Sequence, residues 1–600
     1  MGTNFHRKIS EIYGSIDIFK FKKFIYKLTF LLTVIGLFVL IFDFGYNQKL
    51  DLQLKINAFY FVVLWMGIVT TFLRYWMQRK ALKAKVISFD FISILITIYV
   101  ISIHFFSAEA HRHLSFLYND NWVKITILLT FIREFSEQNI NYKRTLFNPA
   151  QLFIISFLGI ILIGSLLLML PNATHSGISF LDALFTSTSA VCVTGLIVVD
   201  TSSYFTHLGQ GIILILIQTG GVGILTFASY FSYFFKGVSS YENQLVLSDM
   251  TNSDKLGEVF NALKRILVIT FSIEFFGALF IYFSLDNGLL PTFIERVFFA
   301  TFHSISAFCN AGFSTLPNGL YELGFRYNYG LQGVIIALLM LGGLGFPILA
   351  NLMKYSKYYV TRKVLGLKKW QKQYKPWMLS LNSRITLITT FSLFAIGTLL
   401  FYISEYDNVL KEHHGIGKFV TALFGSATPR TAGFNTVDMS ALNLSTVMIT
   451  FLLMWIGASP ASTGGGIKTS TFAIATLNFI SLAKGKSRIE IFRREISDIS
   501  VRRAFATISL SLVVIGSGII AITYFDPEKH LIDVAFECFS AYSTVGLSLG
   551  ITASLSSFSK LIIITIMFIG RVSMLSILIA IFKKVKHKNY RYPTEEIIIN

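Results

Sequence analysis

Four short segments of this chain, spaced at a nearly constant interval, each close on a glycine followed by Leu or Phe. They read SAVCVTGL (Ser189 to Leu196), SAFCNAGF (Ser306 to Phe313), ATPRTAGF (Ala427 to Phe434) and SAYSTVGL (Ser540 to Leu547). Their glycines, Gly195, Gly312, Gly433 and Gly546, lie 117, 121 and 113 residues apart. Internal similarity at a long fixed period marks a repeated unit. Aligned without gaps on the glycine, the tenth position before it holds Phe185, Phe302, Leu423 and Phe536, and the sixth holds Ser189, Ser306, Ala427 and Ser540.

The surroundings repeat in the same order. A first apolar span (about 148–171, 264–286, 384–405 and 503–525) precedes a short amphipathic segment (about 179–192, 292–308, 417–429 and 532–542). The motif follows, then a second apolar span (about 203–236, 330–353, 445–480 and 557–583). The short segments cannot cross a bilayer, so each unit reads as membrane helix, pore helix, loop, membrane helix. Four glycine-centred loops converging on one axis offer backbone carbonyls to an ion that has shed its water.

Composition supports a bilayer setting. Of 600 residues 54% are hydrophobic and only 14% charged, where a soluble chain carries roughly a quarter charged. The net charge of +20 is concentrated between spans: Lys354 to Arg384 has no Asp or Glu, Lys484 to Arg503 is basic, and a basic end follows Lys583. Positive connectors mark the cytoplasmic face, so the charge reports topology, and nucleic-acid binding is set aside. Cys192, Cys309 and Cys538 lack metal-ligand spacing and read as small buried residues. His6 stands where a myristoylation motif needs a hydroxyl, and no removable signal is recognised.

About 145 residues precede the first unit, with apolar spans near 28–44, 57–76, 86–106 and 122–134. Four crossings would place Phe21 to Lys27 and Arg74 to Lys85 in the cytoplasm, with the N-terminus, and Ala108 to Asp120 outside. LRYWMQRKALKAK and FDFISILITIYV faintly resemble the second and third helices of a voltage-sensor domain. A sensor needs Arg or Lys at every third position of one helix, and Lys124 and Arg133 are too sparse for that.

The second spans carry QTGGVGILT (Gln218 to Thr226), MLGGLGFPI (Met340 to Ile348), WIGASPAST (Trp455 to Thr463) and FIGRVSMLS (Phe568 to Ser576). Small residues permit close helix packing, which is the reading for the first two; the last two are read as functional. Pro460 and Gly464–Gly465–Gly466 break the third span, since irregular backbone at membrane depth is tolerated where it lines a wet cavity. GGGIKTS is not a phosphate-binding loop, because Ile467 separates Gly466 from Lys468. Arg571 lies inside the last span, where an arginine costs about 2.5–3.5 kcal/mol and must face water or a partner.

With these motifs in hand, the region from Asn148 onward resembles the Trk/Ktr/HKT superfamily of potassium transporters, and most of all the Ktr membrane subunit. The resemblance rests on the four glycine motifs, VVDT (Val198 to Thr201), TAGFNT (Thr431 to Thr436) and GASPASTGGGIKTST (Gly457 to Thr471). The N-terminal extension is expected to stand outside that core. The fold expected is all-α and polytopic: four pseudo-repeats of helix, pore helix, filter loop and helix around one central pore, preceded by about four extra transmembrane helices. The expected divisions are 1–145, then units at 146–237, 238–353, 354–482 and 483–600, the last including the C-terminal tail.

The carbonyls of Val193, Thr194 and Gly195, of Asn310, Ala311 and Gly312, of Thr431, Ala432 and Gly433, and of Thr544, Val545 and Gly546 are the candidate potassium-binding filter. Glycine is required because a carbonyl-lined loop adopts conformations closed to other residues, and the C-termini of the pore helices favour a cation. The resemblance implies that glycine at all four positions accompanies potassium permeation and that the broken helix is an intramembrane gate. It also implies that Arg571 points toward the path beside Gly464, Gly465 and Gly466 and raises the barrier to cations. Lys468 either shares that role or anchors the loop. Also implied are a homodimer whose EEIIIN ending packs within it, a bacterial inner-membrane location in contact with lipid, and a cytosolic nucleotide-binding regulatory subunit of the TrkA/KtrA type. No cofactor is expected in this chain, K+ being cargo. The alternatives are a sodium-permeable or weakly selective monovalent cation channel and an ion-coupled cation symporter. Coupling calls for acidic residues deep in the spans, for which Glu274 and Glu537 are the candidates. No carboxylate pair, metal cluster or nucleophile constellation suggests an enzyme.

Overall fold

The computed structural model describes residues 2–77, 84–106, 121–137, 149–223, 259–286, 288–360 and 379–582. The outside loop expected at 108–120, the middle of the basic connector (361–378), the later part of the first unit's second span (224–236) and the tail from 583 with its EEIIIN ending lie outside the described residues.

The N-terminal helices are α1 (Gly2–Gly45), α2 (Leu50–Met77), α3 (Ala84–Phe106) and α4 (Asn121–Glu137). The first three contain spans long and apolar enough to cross a membrane: Lys23–Gly45, Leu50–Trp76 and Val86–Ile103. α4 has 17 residues, packs on the other three, and carries the charges that bind them together. Arg133 pairs with Asp90 of α3 at 2.5 Å, Arg74 of α2 with Glu134 at 2.8 Å, and Lys124 with Asp43 of α1 at 3.1 Å. The Arg133 and Arg74 pairs are almost fully buried, and Tyr75 donates to Asp90 at 2.9 Å. Charges in an apolar interior persist only when paired and hydrogen-bonded. Charge thus serves as the adhesive between these helices.

Unit one comprises α5 (Pro149–Leu168), α6 (Phe180–Val191) and α7 (His207–Val222); unit two α8 (Val259–Ser284), α9 (Phe293–Cys309), α10 (Tyr329–Leu344) and α11 (Phe346–Tyr359). Unit three comprises α12 (Leu381–Glu405), α13 (Ile416–Ala427), α14 (Leu444–Trp455) and α15 (Thr469–Ala483); unit four α16 (Asp498–Phe525), α17 (Leu531–Ser543), α18 (Ser557–Val572) and α19 (Met574–Ile581). A short antiparallel hairpin, Glu490–Ile491 with Arg494–Glu495, joins units three and four. The pore helices α6 and α9 start at side-chain caps: Ser179 accepts from Asp182 N, and Thr292 with Glu295 forms a capping box.

One contact recurs between first span and pore helix. A β-carbon on Gly164, Gly277 or Gly397 would stand less than 3.0 Å from the hydroxyl of Ser187, Ser304 or Ser426, and Gly518 faces the Cys538 thiol at 3.5 Å. The three hydroxyls donate to carbonyls of the first spans: Ser187 to Ile161, Ser304 to Glu274 and Ser426 to Phe394, at 2.6–2.9 Å. These contacts correct the gapless alignment. Ser187 lies eight residues before its glycine, whereas Ser426 lies seven before Gly433, so the third loop is one residue shorter. Phe424, fully buried like Phe185, Phe302 and Phe536, takes the place assigned to Leu423.

The second spans are not continuous helices. α7 stops at Gly223 (φ 86°), α10 and α11 meet at Gly345 (φ 82°) with a bend of 107°, and α18 and α19 meet at Ser573 (φ 74°). Left-handed dihedrals end a helix, and Pro347 at the start of α11 supplies a preformed first turn. The break expected only in the third unit is therefore present in the second and fourth as well, and the first unit's helix also ends at a positive-φ residue. The units also interlock in a cycle: α7 packs on α9, α10 on α13, α14 on α17, and α18 returns to α6. Lys560 of α18 seals that last joint with an ion pair of 2.8 Å to Asp182 of α6.

Candidate functional site

The four glycine loops meet at the C-terminal ends of their pore helices. Each has a left-handed residue two positions before the glycine: Val193 (φ 58°), Asn310 (φ 60°), Thr431 (φ 71°) and Thr544 (φ 50°). The glycines are left-handed as well, at 91°, 70°, 78° and 93°, while the residues between are not. Alternating handedness along a chain turns successive carbonyls the same way, a geometry that side chains oppose.

The loops touch head to tail. A β-carbon on Gly195 would stand less than 3.0 Å from the Ala311 carbonyl oxygen; on Gly312 it would meet that of Ala432, on Gly433 that of Val545, and on Gly546 that of Thr194. The glycines thus have two reasons to be glycine, dihedral angle and close approach. Behind the loops, Ser189 and Ser540 accept from the amides of Gly195 and Gly546 at 3.0 Å, and Ser306 donates to the Phe313 carbonyl at 2.8 Å. The third loop has Ala427 at the expected position; Thr428, one residue later, donates to the Phe434 carbonyl at 2.5 Å.

The Asn310 amide oxygen accepts from Thr431 Oγ1 at 3.1 Å, and its nitrogen donates to the Ala307 and Leu339 carbonyls at 2.9 and 3.2 Å. Cys192 and Cys309 are buried, Cys309 against Gly221 of α7.

The stretch between α14 and α15 lies directly against the loops. Gly465 N donates to Thr544 Oγ1 at 2.8 Å, and Gly464 is packed so closely on Thr431 that a β-carbon would collide with its hydroxyl. Gly466 is left-handed at φ 67° and rests on Ser543. Lys468 Nζ donates to the Gly464 carbonyl at 2.6 Å, which favours the anchoring alternative. Arg571 donates to the Thr463 carbonyl of this stretch and, at 2.6 Å, to the Gly220 carbonyl of α7. It therefore joins unit four to units one and three. Gly220, Gly342 and Gly570 lie against carbonyls at the ends of their pore helices, those of Val191, Phe308 and Tyr542. FIGRVSMLS thus combines the packing glycine of the first two copies with a hydrogen-bonding arginine.

Two features escaped the sequence. Arg430, half-buried in the third loop, donates to the Thr390 carbonyl of α12 at 2.9 Å; it lies inside the ATPRTAGF segment. The first-span glycines that seat Ser187, Ser304 and Ser426 were visible as isolated glycines in apolar runs. Glu274 accepts from Gln218 at 3.0 Å, and Glu537 from Thr552 at 2.8 Å and from Ser548.

Interlocked apolar helices around four apposed glycine loops are the architecture of a membrane transport protein. A family described as TrkH, cation transport protein, matches residues 120–592, and the chain belongs to that family. The match starts ahead of Asn148 and takes in α4, which the sequence had placed outside the core. The chain is 37% identical over 455 residues to the Ktr system potassium uptake protein B of Bacillus subtilis, covering 75% of this chain and 96% of that protein. It is 34% identical over 462 residues to the potassium/sodium uptake protein NtpJ of Enterococcus hirae, covering 75% and 97%. The crystal structure of the potassium transporter TrkH from Vibrio parahaemolyticus shares the fold, with a TM-score of 0.57 at 17% identity over 82% of this chain and 97% of that one.

Proposed function

We propose that this protein is the potassium-translocating subunit of a Trk/Ktr-type uptake system. K+ passes the ring of carbonyls contributed by the residues from Val193 to Gly195, Asn310 to Gly312, Thr431 to Gly433 and Thr544 to Gly546. The stretch bearing Gly464, Gly465 and Gly466 closes the path beneath, held by Lys468 and Arg571. The observation that carries this reading is the head-to-tail contact of the four loops, each carbonyl against the next glycine. Backbone carbonyls in such a ring replace an ion's hydration shell. The Ktr system protein B resemblance points to potassium. By the same resemblance the subunit forms a homodimer in a bacterial inner membrane, N-terminus in the cytoplasm, on a cytosolic nucleotide-binding regulatory ring. The extension at 1–145 and the four units that follow are its proposed divisions.

A sodium-permeable channel is the second reading, favoured by the unequal loops, with Asn310 breaking the pattern, and by the NtpJ relative's potassium/sodium name. A coupled symporter is less favoured, because Glu274 and Glu537 both hold neighbouring side chains. Growth of a potassium-uptake-deficient bacterium at low external potassium tests the proposal. Rescue is expected; no rescue by membrane-inserted protein overturns it, and equal rescue of sodium influx favours the second reading.

A further inference from the structure

The contact between Gly465 and Thr544 has a chemical meaning beyond closure. Thr544 and Thr431 occupy equivalent left-handed positions in two of the four loops, at φ 50° and 71°. A β-branched residue with positive φ is an outlier, so these side chains are held where they are by their surroundings. Both hydroxyls face the glycine stretch. Thr431 spends its proton on the Asn310 amide oxygen, which leaves lone pairs for another donor or a cation. Thr544 Oγ1 is acceptor to Gly465 N at 2.8 Å. A hydroxyl oxygen that accepts from an N–H can equally ligate a desolvated monovalent cation, since both present positive charge to the same lone pair. Both cannot do so in the same place.

We propose that the gating stretch closes by displacing an ion: the Gly465 amide stands in for a cation at the Thr544 hydroxyl, with Gly464 filling the space beside Thr431. Closure and cation occupancy at the loop-side end of the filter are then mutually exclusive, and rising K+ on that side opens the path. This inference rests on the potassium-filter reading above.

The test is 86Rb+ uptake into proteoliposomes holding the full-length protein, with K+ varied on the side of the glycine stretch at fixed membrane potential. Absence of uptake by the wild type would overturn the transport reading and this step with it, whereas uptake indifferent to loop-side K+ overturns this step alone. With uptake present, the wild type should show uptake that rises with loop-side K+. Thr544→Val removes the acceptor and should raise uptake at low loop-side K+ by roughly two- to ten-fold, the range set by one ordinary hydrogen bond, and flatten its K+ dependence; Thr544→Ser should restore both. Gly465→Ala approaches the contact from the loop side, because its β-carbon would collide with Thr544 Oγ1, and should reproduce the Thr544→Val result with the Thr544 hydroxyl still present. It also decides the matter if Thr544→Val fails to insert. Wild-type uptake indifferent to loop-side K+, or a K+ dependence unchanged in Gly465→Ala, overturns the proposal.

Discussion

The carbonyl oxygen of Val545 fills the space in which a β-carbon on Gly433 would stand. The same relationship links Gly195 to Ala311, Gly312 to Ala432 and Gly546 to Thr194, so a side chain at any of the four positions pushes on the loop of a neighbouring unit.

Gly195→Ser should therefore damage discrimination more than abundance. A non-glycine residue at φ 91° costs about 1–3 kcal/mol, and displacing the Ala311 carbonyl spreads the change to the second loop. Potassium-over-sodium preference, read as inhibition of 86Rb+ uptake by Na+, should fall roughly ten-fold. An unchanged preference would remove Gly195 from the filter.

Arg571→Ala deletes the donor to both Thr463 and Gly220. Hydrogen bonds to a charged group contribute about 1.5–3 kcal/mol, so the closed arrangement should lose at least ten-fold in population and basal flux should rise. Arg571→Lys, with one ammonium in place of the forked guanidinium, should fall between. Lower flux in well-expressed Arg571→Ala would assign the arginine a purely architectural part.

Asp90→Asn removes the Asp90 carboxylate charge from the buried Arg133 guanidinium. Breaking a buried pair costs about 3–5 kcal/mol, and the loss should appear as a lower melting temperature and faster hydrogen exchange in α3 and α4. Asp90→Asn with Arg133→Gln should cost less than the two changes summed. Additive losses would mean that the pair contributes no coupling.

His413 lies in the connector before α13, where its Nδ1 meets the Tyr329 hydroxyl at 3.0 Å. Burial lowers its pKa below the usual 6.5, and Arg326 acts in the same direction while Glu412 opposes it. The unfolded chain thus binds a proton at higher pH than the folded one, and folding stability falls as pH drops through about 6.5. It levels off once the folded-state pKa is passed. Thermal unfolding between pH 8 and 5 should show this loss, and His413→Gln should reduce it; an identical pH profile in the variant would exclude His413 as its source.

How far the sequence carried this picture is clearest at the third loop. The four glycines, their spacing and the broken helix at Gly464 to Gly466 were legible, because each depends on backbone constraints local to a few residues. Thr428 was not recognised as the counterpart of Ser189, because a one-residue deletion is invisible to a gapless count until Ser426 is seen seated on Gly397. The helix ends at Gly223 and Ser573 were missed for a related reason. A single glycine or serine in an apolar run is ordinary helix composition, and the positive φ that Gly223 and Ser573 adopt is not announced by their neighbours. The pairs Arg74–Glu134 and Asp90–Arg133 join residues 60 and 43 positions apart. No local pattern announces them.

The return of α18 onto α6, with Lys560 bound to Asp182, also has a genetic consequence. Since the last unit packs on the first, one polypeptide supplies every wall of the proposed conduit without borrowing one from another copy. In a cell expressing wild-type protein beside a variant with a blocked filter, the variant should be recessive: each intact chain continues to conduct, and total uptake falls only in proportion to the intact chains lost.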